Sequence, residues 1–249
     1  MNEIKQHIVA VIPARYGSTR LPGKPLKMIG DRPMLVWVYN RVRIAQEIDE
    51  IYVATDDQKI ADMCDNYEIP YIMTSSEHRT AANRLKEVSD SVKADFYLQI
   101  NGDEPLINME AVVSAIPKNI PQDEEFGTNI ITEIKDNAQL MDPSNIKVVF
   151  DEKYRALYMS RTPIPFPFKS IDFKYYKHVG IIGYNKKMLD FYAKSVPGRL
   201  ELIEGIDTMR FIDYGKRLQF IEATDCESLS VDTEKDLEYI TGVLLEGKE

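Results

Sequence analysis

The sequence has 249 residues, a length that fits one α/β domain or a domain with an insertion. Its 40 acidic and 31 basic residues give a formal charge of −9, which argues against a non-specific nucleic-acid binder because such proteins need a basic face. Hydrophobic residues make up 44 % of the chain and charged residues 29 %, so disorder, collagen and coiled coil are excluded as descriptions of the whole chain.

The compartment follows from the cysteines and from the hydropathy of the chain. Cys64 and Cys226 are too few for a disulfide framework and fit a reducing compartment. Residues 1–5 lack the apolar core of a signal peptide, and no apolar run approaches the ~20 residues of a membrane span. We therefore expect a soluble, cytoplasmic protein with no membrane span.

Predicted strands and helices alternate in the first half of the chain. Short apolar runs rich in β-branched residues predict the strands, and apolar residues at helical spacing predict the helices. In chain order they are strand 7–12 ending at Pro13, a helix with Pro33 at its first position, strand 51–54, helix 57–65, strand 70–73, a helix through residues 84–88, and strand 96–100. This alternation indicates βαβ units and a parallel sheet covered on both faces.

The second half of the chain predicts strands at shorter spacing. They are strands 129–134, 146–150 and 155–159, the last two forming a hairpin, and then strand 179–184, helical segments 187–194 and 200–214, strand 218–222 and a last helix over 234–245. No repeat, low-complexity tract or linker divides the sequence.

The N-terminal segment combines positive charge with turn residues. Residues 4–30 carry five basic side chains and no acidic one, which indicates an anion-binding surface, although a solvated basic loop would have the same composition. Open α/β folds bind ligands where parallel strands end, and the loop Pro13–Leu26 follows the first strand. It is not a Walker A loop, because five residues separate Gly17 from Gly23 and Pro25 stands where Ser or Thr would hold Mg²⁺. Its length favours nucleotide binding over a plain strand–helix connection.

Two acidic segments are candidate cation sites. Asp103 lies in the turn Asn101–Pro105 directly after a predicted strand, where a carboxylate can bind a hard cation but is also an ordinary turn residue. Asp232 precedes the last predicted helix, so it is either a metal ligand or, like Thr233, a candidate N-cap. Neither segment decides the question by itself.

Five segments together resemble one known family. They are IPARYGSTRLPGKPL, NGDEP, ALYMSRTPIPF, YKHVGIIGY and VDTEKDLE. In wording and order they resemble the 3-deoxy-D-manno-octulosonate cytidylyltransferases, or CMP-Kdo synthetases, over about residues 9–237. The resemblance implies a Rossmann-like nucleotidyltransferase fold of the α/β class, the fold of nucleotide-diphospho-sugar transferases. It has a mainly parallel mixed sheet and a smaller β-rich subdomain for the acceptor and for dimerisation. It also implies Mg²⁺ as cofactor and a homodimer.

The same resemblance divides the chain by role. We expect one domain over residues 1–249, in which about 1–125 and 215–249 form the CTP-binding core and about 126–214 the acceptor and dimerisation region. An aromatic cluster among prolines in the second region favours a dimer contact over a ligand cage, and it comprises Phe166, Phe168, Phe173, Tyr175 and Tyr176.

The resemblance also implies roles at the CTP end of the site. Lys24 would neutralise the triphosphate, and Asp103 and Asp232 would bind Mg²⁺, which makes these three the expected catalytic residues. The implied reaction is attack of a sugar-acid hydroxyl on the α-phosphorus of CTP with loss of pyrophosphate, and no general base stands out. The expected nucleotide-binding residues are Pro13 and Ala14, whose backbone would read the cytosine edge, with Arg15, Ser18, Arg20, Lys24, Asn101 and Gly102.

The acceptor end departs from the family wording. The family segment His-x-Ser-Gly-Thr-Glu/Asp-Arg is here residues 78–84, so a glycine and a hydroxyl are replaced and an acid becomes an amide. Such changes alter which hydroxyls or amines a site can hydrogen-bond. The expected acceptor-binding residues are His78, Thr80, Asn83, Arg84, Arg161, His178, Tyr184 and Asp207, of which Arg161 could hold a carboxylate and His178 could equally be a core histidine.

Three functions therefore stay open. The first is a cytidylyltransferase for Kdo or a closely related acidic sugar. The second keeps CTP but uses a different small acid, such as 8-amino-Kdo, another ulosonate or a phosphonate. The third is an inactive nucleotide-binding regulator, against which the joint retention of Lys24, Asp103 and Asp232 argues.

Overall fold

The fold is described from a computed structural model, which covers residues 5–17, 21–169, 173–224, 226 and 229–246. Within these residues the strands are β1 (Ile8–Ala14), β2 (Met28–Ile29), β3 (Arg32–Pro33), β4 (Glu50–Thr55), β5 (Tyr71–Met73), β6 (Phe96–Ile100), β7 (Phe126–Glu133), β8 (Lys147–Phe150), β9 (Ala156–Ser160), β10 (Tyr176–Tyr184) and β11 (Arg217–Glu222). The helices are α1 (Met34–Val42), α2 (Gln58–Asn66), α3 (Ala81–Ser91), α4 (Met109–Ser114), α5 (Asn137–Met141), α6 (Lys186–Lys194), α7 (Arg199–Glu204), α8 (Met209–Asp213) and α9 (Glu234–Glu246), with a 3₁₀ helix at Lys24–Leu26.

Nine of the described strands form one mixed sheet. Seven of them follow the order β11-β7-β10-β6-β1-β4-β5, and β8 and β9 lie beside this row. Strand β1 pairs in parallel with β4 and β6, β4 with β5, and β7 with β11. Strand β10 is antiparallel to β6, β7 and β8, and the β8–β9 hairpin extends the sheet beside β10. The predicted α/β class and the predicted hairpin are confirmed.

Both faces of this sheet are covered by apolar side chains. On one face, β1 and β6 pack against α1, α2 and α4, for example through Ile12, Leu35 and Val112. On the other face, alternate residues of the same strands pack against α3, α6 and α8, for example through Val11 and Leu85. Fully apolar strands such as β1 are expected where both faces are buried.

The structure corrects three sequence-based expectations. Strand β1 continues past Pro13 to Ala14, and proline is tolerated there because β6 pairs with β1 only as far as Val11. Pro33 lies in β3 and caps α1 rather than starting it. The predicted helix 200–214 is two helices, because Gly205 adopts a left-handed conformation (φ 64°) that ends α7. The hairpin β2–β3 and the short helices α4 and α5 were not predicted.

No helix in the described part of the chain is both long enough and apolar enough to cross a membrane.

Candidate active site

A cleft opens where the parallel strands β1 and β6 end. It encloses a cavity of about 610 Å³, called here the outer cavity. The end of β1 contributes Pro13, Ala14 and Arg15 to its wall, and the turn after β6 contributes Asn101, Gly102 and Asp103. The topology therefore brings together two of the segments that the sequence indicated separately. Of the remaining expected nucleotide-binding residues, Lys24 also lines this cavity, whereas Ser18 and Arg20 lie outside the described residues.

Lys24 joins the two acidic segments at one point of the outer cavity. Its Nζ lies 2.6 Å from Asp103 Oδ2 and 3.0 Å from Asp232 Oδ1. The backbone also connects these segments, because the Val231 amide donates to the Asp103 carbonyl at 2.9 Å. Carboxylates that are distant in the sequence thus converge on a single cationic group.

The capping role proposed for Asp232 belongs to other residues. The Asp236 carboxylate accepts hydrogen bonds from the amide and hydroxyl of Thr233, at 2.8 and 2.9 Å, and the Thr233 hydroxyl accepts from the Asp236 amide at 3.3 Å. This reciprocal pair caps the start of α9. The Asp232 side chain is therefore not needed as a cap and instead contacts Lys24.

Oxygen atoms at this point fit a hard cation. Asp103 Oδ1 is buried and has no hydrogen-bond partner among the described residues, which is uncommon for a carboxylate oxygen. Burial lowers the pKa of Lys24, but Asp103 and Asp232 outweigh burial and the net direction is upward. Within the described ranges no three His, Cys, Asp or Glu side chains cluster as a metal site. Two carboxylates without further protein ligands are the arrangement in which Mg²⁺ is shared with substrate phosphates.

The other cationic side chains of the outer cavity differ in whether the protein already pairs them. Arg15 and Arg79 line it, and neither has an ion-pair partner within the described residues. Arg84 is buried and already engaged, since its guanidinium donates to Asp56 Oδ2 at 3.1 Å and to the Thr74 hydroxyl. The first two arginines are therefore available to an anionic ligand, and Arg84 anchors α3 to the sheet.

A second, smaller cavity of about 200 Å³ adjoins the first and is called here the inner cavity. Gln99 and Asp207 line both cavities and so mark their junction. His178 and Tyr184 of β10 and Tyr192 of α6 form much of its wall. Asp207 is exposed through the cleft. The surrounding protein nevertheless desolvates its carboxylate, and this desolvation, followed by repulsion from Glu201, raises its pKa.

His178 presents a neutral ring to the inner cavity. Its Nδ1 lies 2.8 Å from Asn129 Oδ1, and the Asn129 amide nitrogen donates to the carbonyls of Val179 and Ile181. The asparagine oxygen must then be the acceptor, so Nδ1 of His178 carries the proton and Nε2 is an acceptor. Burial and then the nearby Arg161 guanidinium lower the pKa of His178 to about 4.

Comparisons with known proteins agree with this geometry. Residues 9–218 match the model of the family described as cytidylyltransferase. The chain belongs to the cytidylyltransferase family. It is 36 % identical over 237 residues to the 8-amino-3,8-dideoxy-manno-octulosonate cytidylyltransferase of Shewanella halifaxensis, covering 93 % of this chain and 96 % of that one. It is also 36 % identical over 239 residues to the 3-deoxy-manno-octulosonate cytidylyltransferase of Fusobacterium nucleatum, covering 96 % and 97 %.

Solved structures support the fold of this cytidylyltransferase as well. A CMP:2-keto-3-deoxy-manno-octonic acid synthetase complexed with CTP superposes with a TM-score of 0.90 at 34 % identity, covering 97 % of this chain and 99 % of that one. The 4-diphosphocytidyl-2C-methyl-D-erythritol synthase of Anaerococcus prevotii superposes with a TM-score of 0.62 at 18 % identity, which shows a shared fold only. The predicted fold, the predicted family and the prediction of an enzyme are confirmed.

Two of the expected acceptor residues of the cytidylyltransferase do not line either cavity. Asn83 accepts a hydrogen bond from the Thr80 hydroxyl at 2.6 Å, at the start of α3. The Arg161 guanidinium donates to three backbone carbonyls at 2.8–3.1 Å, those of Glu204, Pro143 and Gly205. Three of the five N–H groups of Arg161 therefore hold the loop after α7, and its side chain lines neither cavity. His78 and Thr80 do line the outer cavity, and the His78 ring lies 2.5 Å from Glu87 Oε2.

Several residues that line the cytidylyltransferase cavities were not predicted from the sequence, and Gln99, Arg79 and Tyr192 are three of them. Gln99 had a usable signal, because it is the polar residue in the otherwise apolar strand Phe96–Ile100. Arg79 lay inside the segment that departs from the family wording but was not singled out. Tyr192 had no signal, since its position on a helix resembles an ordinary core tyrosine.

The low pKa of His178 predicts an acid sensitivity. Histidine titrates near 6.5 in an unfolded chain and here near 4, so its contribution to stability is present above pH 6.5 and is lost as the pH falls towards 4. At pH 5 the loss should be about 2 kcal/mol of unfolding free energy. Urea unfolding at pH 7.5 and pH 5 checks this, with His178→Gln as control. An equal pH dependence in both proteins would contradict the neutral state of His178.

Proposed function

We propose that this cytidylyltransferase transfers the cytidylyl group of CTP to a hydroxyl of an eight-carbon acidic sugar, Kdo or its 8-amino analogue, and releases pyrophosphate. The observation that carries the proposal is the junction of two cavities. One holds the Lys24–Asp103–Asp232 cluster, and the other is lined by uncharged hydrogen-bonding groups, with the Asp207 carboxylate at the junction. The names of the relatives and the CTP complex of the structural neighbour agree with a nucleotide in the first and a sugar acid in the second.

The outer cavity suits the nucleotide because its charges match a triphosphate. Arg15, Arg79 and Lys24 supply positive charge, and Gly102 lets the backbone approach closely. A methyl group at Gly102 would lie 3.1 Å from Leu35 and 3.3 Å from Ile12, so this turn packs directly on the sheet. The backbone at Pro13 and Ala14 remains the proposed contact for the cytosine edge.

Asp103 and Asp232 are the proposed ligands for Mg²⁺. The buried Oδ1 of Asp103, which lacks a partner among the described residues, is the observation that fits a cation there. When bound, Mg²⁺ would offset the charge that develops on the phosphates. Lys24 holds the two carboxylates together in the structure described. When the nucleotide binds, its ammonium group would pair with the triphosphate.

The inner cavity suits the acceptor because its polar groups are uncharged, apart from Asp207 where the two cavities meet. Nε2 of His178 can accept a hydrogen bond from a sugar hydroxyl, and Gln99 can both donate and accept. Positioning the attacking hydroxyl at the junction beside Asp207 would supply much of the rate acceleration.

A pyrophosphate-release assay tests the proposed function. With CTP and Mg²⁺, we expect turnover with Kdo or 8-amino-Kdo and little with other ulosonates or a phosphonate, and chelation of the metal should stop it. Turnover with a different acid would assign another acceptor. CTP binding without turnover on any acid would support a nucleotide-binding regulator instead.

A homodimer and a cytoplasmic location complete the proposal. Phe166 and Phe168 are 84 % and 83 % exposed, and Phe173 is also exposed, so a second copy of the chain is the proposed cover for this segment. Cys64 and Cys226 are both free and buried, which agrees with a reducing compartment.

A further inference from the structure

Tyr192 forms part of the inner cavity wall and is held rigidly by its neighbours. Its side chain is fully buried on α6, although its edge lines the cavity. The Arg210 guanidinium lies 3.8 Å from the ring centroid, and the Phe211 ring packs on it with centroids 5.6 Å apart. Arg210 is itself fixed by two hydrogen bonds to the Glu201 carboxylate, at 2.6 and 2.7 Å. Packing, and not a hydrogen bond of its own, sets the position of this ring.

The hydroxyl of Tyr192 is buried and has no well-formed hydrogen bond. No described residue meets hydrogen-bond geometry with it, and the Thr80 side chain is only a weak neighbouring partner that lowers its pKa. Most buried polar atoms in proteins are fully paired. Leaving such a group unpaired is unfavourable, because it loses the hydrogen bonds that it made to water in the unfolded chain. Burial and then the Asp207 carboxylate raise the pKa of this hydroxyl, and Thr80 lowers it, so it remains a neutral donor and acceptor with polar neighbours on the cavity side.

We propose that Tyr192 is a specificity-determining residue, whose hydroxyl hydrogen-bonds a hydroxyl or amino substituent of the acceptor inside the inner cavity. The inference rests on the proposed function, because it takes the inner cavity as the acceptor site. A carboxylate or phosphate is disfavoured at this point by the Asp207 carboxylate on the same cavity. The acceptor's own carboxylate would therefore face the outer cavity, where Arg15 and Arg79 lie.

Tyr192→Phe tests the proposal because it removes only the oxygen that lacks a well-formed hydrogen bond. Calorimetric titration with Kdo and 8-amino-Kdo should show a Kd about 10- to 100-fold higher for the acceptor whose substituent is bound, the range expected for loss of one buried hydrogen bond. The Kd for CTP and the melting temperature should stay nearly unchanged, because no well-formed hydrogen bond to a described residue is lost and the Thr80 hydroxyl keeps its bond to Asn83. A purely structural hydroxyl would shift the melting temperature instead.

Tyr97→Phe is the matched control. The Tyr97 hydroxyl is buried, donates to the Val92 carbonyl at 2.8 Å, accepts from the Ala94 amide at 2.9 Å and lines neither cavity. This variant should lower the melting temperature and leave acceptor binding intact. A series of acceptors that each lack one hydroxyl or amino group would identify the contact. The analogue that lacks the group bound by Tyr192 should bind wild type and Tyr192→Phe equally.

The outcomes separate the inference from the proposed function. Turnover by wild type together with unchanged acceptor binding by Tyr192→Phe would overturn the inference and leave the proposed function intact. If Tyr192→Phe binds the acceptor more weakly than wild type does, but wild type releases no pyrophosphate, the inference is supported and the transfer reaction is overturned. Failure of wild type to bind either sugar, or equal weakening of CTP and acceptor by the variant, would overturn the inference.

Discussion

Asp103→Asn should slow cytidylyl transfer at least about a hundredfold while CTP still binds. It removes one of the two proposed Mg²⁺ ligands, and the charge of that ion would stabilise the transition state more than the bound substrates. Asp232 would still hold Lys24, at 3.0 Å, so the outer cavity should keep its shape. The measurement is pyrophosphate release at saturating CTP and acceptor over a range of Mg²⁺ concentrations, with CTP affinity measured separately by calorimetry.

Asp62→Asn provides a matched change of charge for this experiment. Asp62 is exposed on α2 and accepts a hydrogen bond from Gln58 at 2.8 Å, and it lines neither cavity. Its loss should leave turnover within about twofold, since surface substitutions have small effects. Turnover of Asp103→Asn within about threefold of wild type at any Mg²⁺ concentration would exclude Asp103 from the metal site.

The sequence predicted which segments surround the outer cavity because their signals are local. Buried strands end at predictable residues, and ligand-binding turns follow them, so Asp103 could be placed at a strand end from the sequence alone. What the sequence left open was the contact between segments. Lys24 meets carboxylates that are 79 and 208 residues away. The pairing of β1 with β6 brings Asp103 close, and the Val231–Asp103 backbone hydrogen bond brings Asp232 to the same point. The role of Asp232 was ambiguous until Thr233 and Asp236 were found to cap α9 together.

The inner cavity was harder to predict because it is built around a break in a helix. Residues 200–214 carry a helical pattern, but the left-handed Gly205 interrupts it and places Asp207 at the junction of the cavities. Arg161 illustrates the same limit, because a guanidinium that binds backbone carbonyls cannot be distinguished in a sequence from one that binds a ligand. Tertiary contacts, and not local pattern, decide both cases.

Arg210→Met should be the most destabilising of the substitutions considered. The buried Arg210 and Glu201 form a bidentate pair at 2.6 and 2.7 Å, and Arg210 also donates to the Tyr192 carbonyl at 3.0 Å. Removing the arginine leaves a buried, unpaired carboxylate, which costs about 3–5 kcal/mol. At about 2–4 °C per kcal/mol for a chain of this size, the melting temperature should fall by roughly 10 °C.

The double variant Arg210→Met/Glu201→Leu distinguishes the charge from the packing. If the unpaired carboxylate causes the loss, removing it should restore part of the stability, because apolar side chains can replace a buried ion pair at little cost. A double variant that is less stable than Arg210→Met would instead assign the loss to packing. In either case the Tyr192 ring loses the guanidinium that fixes it, and the α7–α8 connection loses an anchor. Acceptor affinity should therefore remain weak in the double variant even where stability returns, which would make this ion pair a positioning element of the inner cavity.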